Sequence, residues 1–406
     1  MAAAGEEIIR LEHVYKIFGP QPNGRAFDLV KSGMGKDEVL QRAGHVVGLN
    51  DVNFTIHQGE IFVVMGLSGS GKSTAIRTVN KLHDITSGHV WVDGTDVQTL
   101  DGKELQAFRR EKMGMVFQHF ALFPHRNVID NVGYGLKVQK VPKDERDAAS
   151  LKALSLVGLE PYAQNATQEL SGGMQQRVGL ARALASDPDI LLMDEAFSAL
   201  DPLIRRQMQD EMMEIQNELH KTILFITHDL NEALRIGDRV CIMKDGIVIQ
   251  IGTPEEILTK PATGYVAEFV QDVDQGRVIE VREIMVPANP IDVAMTIGDA
   301  LKAIADRSGA FIVDDAGKPS AVLTLADAVR ASTQGGDVAS ALRDDFDRTS
   351  PSATLNEVYA SAGRGVPIAV VNDAGELVGN LDPHAIMEEM GRVEGLINMF
   401  EREVFM

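Results

Sequence analysis

One cysteine in 406 residues, Cys241, excludes an internal disulfide and fits a reducing compartment. It lies in Arg239-Val240-Cys241-Ile242-Met243, a strand-like run, and reads as a buried core thiol. No apolar run approaches the length of a membrane-spanning helix. Met1 to Glu12 lacks a basic stretch followed by an apolar core, so no secretory signal is expected there. Positive charge is in deficit: 39 Lys and Arg against 59 Asp and Glu give a net charge of −20. A polyanion repels nucleic acid and anionic lipid at long range. Nucleic acid is therefore not an expected partner, and any membrane association should run through another protein.

The remaining composition, 44% hydrophobic and 24% charged, is that of a globular chain long enough for two or three domains. The stretch Gly66-Leu67-Ser68-Gly69-Ser70-Gly71-Lys72-Ser73-Thr74 fits the phosphate-cradling pattern G-x-x-x-x-G-K-[ST]. An apolar run, Ile61 to Met65, leads into it as a buried strand, and Thr74-Ala75-Ile76-Arg77 begins a helix. Glycines let the backbone approach phosphate oxygens, so successive N–H groups and the helix N-terminus can face an anion. Lys72 adds a point charge for the β- and γ-phosphates, and the Ser73 hydroxyl is a Mg²⁺ ligand.

Far downstream, Ile190 to Met193 ends in Asp194-Glu195. A buried strand that delivers two carboxylates to its C-terminal end is where open α/β sheets place their sites. Asp194 is expected to orient Mg²⁺ and Glu195 to polarise the attacking water, against the alternative of a helix N-terminal charge pair. Gln118 follows the strand Met113 to Phe117, and could ligate Mg²⁺ or hold water. His228 sits just past the expected strand Thr222 to Ile226, and could contact the γ-phosphate or be structural. Leu170-Ser171-Gly172-Gly173-Met174-Gln175-Gln176 opens a helix. That geometry suits an anion, although such triplets also simply cap helices.

Strands alternate with helices along most of this region, as in a largely parallel sheet. Ile8 to Leu11, Val52 to Ile56, Val90 to Val92, Val240 to Lys244 and Ile247 to Ile251 are further expected strands; Asp144 to Leu156 is an expected amphipathic helix. Gly19 to Gly48 reads as an insertion, rich in glycine and proline at first and helical around Asp37 to Arg42. Beyond Asp272 to Val281 two weakly similar units follow, each with a strand, an acidic glycine-containing turn, a second strand and a helix.

Together these motifs resemble the ATP-binding-cassette (ABC) ATPases over roughly Ile8 to Val270. Ser171 to Gln175 resembles the family's signature motif, Ser198-Ala199-Leu200-Asp201 its D-loop, Gln118 its Q-loop and His228 its switch histidine. Phe18 aligns with the aromatic that stacks on adenine, with Tyr15 as the alternative. The resemblance implies ATP and Mg²⁺ as ligands. It places ATP against Phe18, Gly66, Ser68, Gly69, Ser70, Gly71, Lys72, Ser73 and Thr74, with Ser73, Gln118 and Asp194 at the metal. It implies Glu195, His228, Gln118 and Lys72 as the hydrolytic set. It also implies a head-to-tail dimer, in which Ser171, Gly172, Gly173, Gln175 and Asp201 of a second copy close over each nucleotide. Gln118 to Arg126, with Phe120, Leu122 and Phe123, lies where such proteins receive a helix of a membrane permease.

The insertion and Asp194 to Arg205 look like the ATPases of glycine betaine/proline betaine importers. So does the terminal pair, which resembles tandem cystathionine-β-synthase (CBS) domains. Thr324-Leu325-Ala326-Asp327 fits the CBS ribose-phosphate pattern T-x-x-D, whereas Asp382-Pro383-His384-Ala385 in the second unit does not. At most one adenine nucleotide site is expected there, at Thr324 and Asp327, beside the alternative of a purely structural or salt-sensing pair. The expected fold is α/β: a P-loop cassette with a helical subdomain, followed by the α+β CBS pair. The divisions are an ATPase domain over 1–271 (insertion 20–48, helical subdomain about 119–180), a linker over 272–283, CBS units over 284–336 and 337–390, and a tail over 391–406. The resemblance implies peripheral attachment to the cytoplasmic face of the inner membrane, with permease subunits as direct partners and a substrate-binding protein as an indirect one. The rival readings are an ATPase of another amine or amino-acid importer, and a CBS-based sensor with weak ATPase activity.

Overall fold

The computed structural model describes residues 5–118, 121–271, 276, 279–305 and 307–389. The expected tail over 391–406, half of the linker (272–275, 277 and 278), and His119 and Phe120 of the docking stretch lie outside them. The chain divides into two compact units, Met1–Ile257 with Pro261–Val266, and Leu258–Lys260 with Ala267–Met406.

The first unit opens with β1 (Glu7–Phe18), α1 (Arg25–Lys31), α2 (Lys36–Ala43), β2 (Val46–His57), β3 (Ile61–Met65) and α3 (Lys72–Val79). It continues through β4 (Ser87–Val92), β5 (Thr95–Asp96), α4 (Gly102–Lys112) and β6 (Met113–Phe117). Four helices follow: α5 (Val128–Val132), α6 (Tyr134–Val138), α7 (Lys143–Leu156) and α8 (Gly172–Leu184). Then come β7 (Ile190–Asp194), α9 (Pro202–Leu219), β8 (Thr222–Thr227), α10 (Leu230–Ile236), β9 (Arg239–Lys244) and β10 (Ile247–Gly252); α11 (Pro254–Thr259) and α12 (Gly264–Val270) span the division between the units.

Six strands form the main sheet, in the order β10-β9-β3-β8-β7-β6. β6, β7, β8, β3 and β9 are parallel, and β10 is antiparallel to β9. Every residue of β3, β7 and β8 is buried, as expected for parallel strands covered on both faces. That is why these strands are uninterrupted apolar runs. A second, antiparallel sheet runs β2-β1-β4-β5. One core joins the two sheets, with Ile9, Leu49, Ile56, Phe62, Val64, Ile76, Leu192, Ile226 and Cys241 all in it.

β1 and β2 each run twelve residues, much longer than the strands read from sequence. β2 begins at Val46, paired with Phe18, so the strand starts two residues before Gly48, inside the stretch read as an insertion. Its helix α2 covers the expected Asp37 to Arg42, and α1 is an additional helix. The insertion builds a small core of its own from Ala26, Val30 and Val39 against Ile17 and Val47.

The second unit contains α13 (Val281–Ile284), β11 (Val286–Pro287), α14 (Ile297–Ala303), β12 (Gly309–Val313), β13 (Pro319–Thr324) and α15 (Leu325–Gln334). It goes on through β14 (Arg348–Thr349), α16 (Leu355–Ala362), β15 (Ile368–Val371) and β16 (Leu377–Leu381). β12–β13 and β15–β16 are antiparallel hairpins with the same turn. Asp314 Oδ1 accepts from the amides of Ala316 and Lys318, and Asn372 Oδ1 from those of Ala374 and Glu376. The hairpins also meet: the Leu377 amide donates to the Gly317 carbonyl at 2.9 Å. Phe311 and Val322 of one share a cluster with Val366 and Ala369 of the other.

Candidate nucleotide site

The phosphate loop leaves the buried strand β3 and enters α3. Gly66 has φ +150°, and a Cβ there would lie 2.2 Å from the Met243 carbonyl oxygen. Gly71 has φ +105°, and a Cβ would lie 2.5 Å from the Gly48 carbonyl oxygen. Backbone conformation and space both exclude a side chain at these two positions. The crest of the loop, Leu67, Ser68 and Gly69, is exposed, and a Cβ on Gly69 would meet nothing within 4 Å. The hydroxyl of Ser70 is buried without a partner among the described residues. A loop with open amides at its crest and an unmet donor beneath it fits an anionic ligand.

Lys72 is buried, and its Nζ donates to the carbonyls of Gly66 at 2.8 Å and Leu67 at 3.0 Å. Burial pulls the ammonium below its ordinary range, while the charges of Glu195 and Asp194 act against that. A phosphate would hold this cation better than two neutral carbonyls do. Ser73 lies on the first turn of α3, and its Oγ donates to Asp194 Oδ1 at 3.0 Å. Arg77 is four residues on, hence on the same helix face, and its Nη2 meets Asp194 Oδ2 at 3.1 Å.

Asp194 ends β7 and is buried. Glu195 follows with φ +49°, a left-handed conformation that costs a residue with a Cβ about 1–3 kcal/mol. Its amide donates to the Ile226 carbonyl at 3.1 Å, which pins it to β8. The bend sets the carboxylate against two strand ends at once. Gln118 Nε2, after β6, donates to Glu195 Oε2 at 3.2 Å. His228 Nδ1, after β8, is 3.4 Å from the same oxygen. Gln118 Nε2 also donates to Ser198 Oγ at 3.2 Å, and Ser198 Oγ donates to the Glu195 carbonyl at 2.9 Å.

Phe18 ends β1. Its ring stands edge-on to His83 at 5.4 Å, with the Lys16 ammonium 4.8 Å from its centroid. A Cβ on Gly48 would fall 2.7 Å from this ring and 3.2 Å from the Thr74 methyl, so Phe18 and the first turn of α3 converge on the same glycine. Tyr15, the alternative aromatic, packs edge-on to Phe27 of the insertion at 5.3 Å.

Ser171 caps α8, accepting from the Met174 amide, and Asp201 caps α9, accepting from the Ile204 amide at 3.1 Å. Gln175 Nε2 donates to the Leu170 carbonyl at 3.1 Å. Ser171 and Gly172 are exposed, and Gly173 packs so closely on Ile204 that a Cβ would lie 2.6 Å from its methyl. Within one chain the structure gathers the phosphate loop, Phe18, Gln118, Asp194, Glu195 and His228, while the hydrogen bonds of Ser171, Gln175 and Asp201 run to their own helix ends. Arg77 and His83 carry no role in the sequence reading, and Ser198 enters it only as the start of the D-loop-like stretch Ser198 to Asp201. The four-residue spacing of Ser73 and Arg77 was the one available signal.

In the second unit Thr324 caps α15, and its Oγ1 donates to Asp327 Oδ2 at 2.7 Å. Asp327 also meets Arg330 at 3.1 Å and Arg343 at 3.8 Å. A cavity of about 570 Å³ is lined by Asp327, Arg330, Gln334, Ser340 and Arg343. Asp382, at the matching place in the second hairpin, instead accepts from the Ser308 and His384 amides at 2.9 Å.

Phosphoryl transfer needs positioning and charge stabilisation more than covalent chemistry from the protein. Lys72 and the loop amides supply charge, and Glu195, between Gln118 and His228, can orient a water and accept its proton. Ser73 Oγ and Asp194 are hard oxygen donors that suit Mg²⁺, which takes few protein ligands and fills its shell with phosphate oxygens and water. No group of three or more His, Cys, Asp or Glu able to hold a metal ion occurs among the described residues. Bound there, the ion would neutralise charge developing on the phosphates.

Fold and site define a nucleotide-hydrolysing cassette of the phosphate-loop class. Residues 49–198 match the ABC transporter family and residues 281–333 the CBS domain. The chain is 46% identical over 374 residues to the glycine betaine transport ATP-binding protein OpuAA of Bacillus subtilis strain 168, covering 91% of this chain and 89% of that one. It is 42% identical over 397 residues to the glycine betaine/proline betaine transport system ATP-binding protein ProV of Escherichia coli K12, covering 96% and 99%. Among solved structures, the dimeric bacterial ABC transporter cassette MJ0796 superimposes with a TM-score of 0.52 at 33% identity, over 61% of this chain and 99% of that one. A dimeric post-hydrolysis state of the same cassette, bound to ADP and Pi, gives 0.51 at 32%, covering 61% and 99%. The chain belongs to the ABC transporter family, as an ATP-binding subunit with a C-terminal CBS region. Its ATP hydrolysis is coupled to transport. Among the described residues no helix is long and apolar enough to cross a membrane.

Proposed function

We propose that this chain energises uptake of glycine betaine, proline betaine and related quaternary amines through permease subunits. The observation that carries the hydrolytic part is the convergence of three strand ends on one carboxylate: Glu195, with Gln118 and His228 at 3.2 and 3.4 Å, beside the Ser73–Asp194 pair. In this reading ATP lies along Gly66 to Thr74 with its base on Phe18, and Ser73, Gln118 and Asp194 surround Mg²⁺. Lys72 and His228 hold the γ-phosphate, and Glu195 activates water. A single loop leaves one face of the triphosphate wet. The exposed Ser171-Gly172-Gly173 loop, Gln175 and Asp201 of a second copy cover it, exclude water and complete the charge cage. Closure does mechanical work on the permease and hydrolysis resets it.

The substrate part rests on similarity to OpuAA and ProV, because the transported solute touches other subunits. A solute-binding protein would deliver it to the permease, and the chain would sit at the cytoplasmic face of the inner membrane. The divisions proposed above, with an ATPase domain to about residue 271 and two CBS units beyond, assign regulation to the C-terminal region. One observation favours ionic strength as the signal. Arg330, Asp327, Arg343, Asp345, Arg364 and Asp347 form an alternating ladder of ion pairs, each 3.8 Å or shorter. Most members are exposed, and such pairs weaken as salt screens them. Thr324 and Asp327 are the residues that would hold an adenine nucleotide in the same region.

The test is ATP-dependent accumulation of labelled glycine betaine in vesicles holding this chain and its permease, with unlabelled amines and amino acids as competitors. Competition by quaternary amines alone supports the reading. Accumulation of an amino acid but not of betaine transfers the chain to another importer class.

A further inference from the structure

Glu195 and His228 follow the adjacent strands β7 and β8, which pair directly, and the turns beyond those strands are joined by a side chain outside the nucleotide site. Arg205, on the first turn of α9, donates from Nη2 to the carbonyls of Ser198 at 3.3 Å and Leu200 at 3.2 Å. Its Nη1 donates to Asp229 Oδ2 at 3.2 Å. Asp229 directly follows His228, and its amide donates to Thr227 Oγ1 at 2.9 Å, so the turn holding the histidine is tied from both sides. Ser198 is in turn bonded to Gln118 and to the Glu195 carbonyl. The contacts make a closed circuit: Glu195, Ser198, Arg205, Asp229, His228 and back to Glu195. A second rung one turn along α9, Gln209 Nε2 to Glu232 Oε1 at 2.9 Å, is buried and fixes α9 against α10.

We infer that Arg205 is a positioning residue that locks the Ser198–Asp201 loop to the turn carrying His228, so that hydrolysis requires it and nucleotide binding does not. The inference rests on the roles proposed above for Glu195 and His228. The chemistry favours arginine specifically. A planar guanidinium reaches two carbonyls and a carboxylate at once, whereas an ammonium on a flexible stem does not hold that geometry. The Nε of Arg205 is buried with no acceptor among the described residues, which leaves a donor for a rearranged loop.

The experiment measures steady-state ATPase activity and ATP-binding stoichiometry of the full-length chain carrying Arg205→Met, Arg205→Lys, Asp229→Asn or the double variant Arg205→Met/Asp229→Asn, with Glu195→Gln as control. Misplacing a catalytic group by about 1 Å can cost on the order of 100-fold. Arg205→Met is expected to lower kcat per nucleotide-binding site about 10- to 100-fold, with KM for ATP within about twofold of the parent. Arg205→Lys should recover part of the loss through Asp229, and the double variant should be no slower than Arg205→Met alone. A kcat per binding site unchanged in Arg205→Met, with Glu195→Gln inactive, overturns the inference and leaves the site assignment standing. A loss explained wholly by fewer binding sites or a raised KM also overturns it. An active Glu195→Gln variant removes the underlying site assignment instead.

Discussion

Glu195→Gln separates chemistry from folding more cleanly than any other substitution in the site. The side chain keeps its shape, and Gln meets the φ +49° backbone at the same cost as Glu. Its side chain is 20% exposed, and its protein contacts are the Gln118 amide at 3.2 Å and the His228 ring at 3.4 Å. Rotating either amide restores a donor–acceptor pair with Gln118, so the folded state loses about 1 kcal/mol, the net worth of one ordinary hydrogen bond. Lys72 keeps the charge of Asp194 beside it, so the phosphate loop still binds ATP. The loss in the reaction is larger. Removing the group that accepts the water's proton should cost on the order of 10²–10⁴ in rate, or about 3–5 kcal/mol of barrier. The assay is single-turnover hydrolysis of ATP with Mg²⁺, beside ATP affinity and a denaturant melt of the same preparation. Turnover within tenfold of the parent, with binding and stability intact, would refute the assignment of Glu195.

Three further outcomes follow from particular contacts. Burial pushes the Cys241 thiol up to about 12 from 9.0. Below pH 9 folded and unfolded thiols are both protonated, and between 9 and 12 only the unfolded one ionises, so stability falls across that window by at most 1.36 kcal/mol per pH unit. Denaturant melts of the parent and Cys241→Ala from pH 8 to 11 should differ in slope, and parallel slopes contradict the burial argument. Gly71→Ala places a methyl 2.5 Å from the Gly48 carbonyl at φ +105°. It should destabilise the chain by about 1–3 kcal/mol and weaken ATP binding at least about tenfold (on the order of 1.4 kcal/mol), as read by melting and nucleotide titration. Arg343→Gln with Arg364→Gln removes four ion pairs of the ladder in the second unit, those to Asp327, Asp345 (from both arginines) and Asp347. Transport should then respond less steeply to salt, and an unchanged salt profile argues against the ladder as the sensor.

Much of the cassette was legible because its physics is local. Ile61 to Met65, Ile190 to Met193 and Thr222 to Ile226 are continuous apolar runs, and only strands covered on both faces need them. The glycines of the phosphate loop likewise declare a close backbone approach that other residues cannot make. β1 and β2 were harder to delimit, because register shifts such as that between Leu11 and Val14 break their alternation. α1 has seven residues, too few for a periodicity to emerge, and it is held by packing on Ile17 and Val47. His83 carries no sequence signal, and Arg205 only closes the stretch Asp194 to Arg205, whose resemblance assigns it no role. An arginine early in a helix and a histidine in a loop are ordinary, and only their position beside Ser198, Asp229 and Phe18 gives them meaning. Ser171, Gly172 and Asp201 have roles that one chain does not show: in the proposed dimer the surface they complete belongs to a second copy.

The most direct test of the whole account is uptake of labelled glycine betaine by vesicles in which this chain carries Lys72→Ala and the permease is unchanged. Lys72 supplies the cation of the phosphate loop, held at 2.8 and 3.0 Å by the carbonyls of Gly66 and Leu67. The account predicts that ATP no longer drives accumulation above the level of vesicles lacking ATP. Accumulation at the parent rate would contradict it.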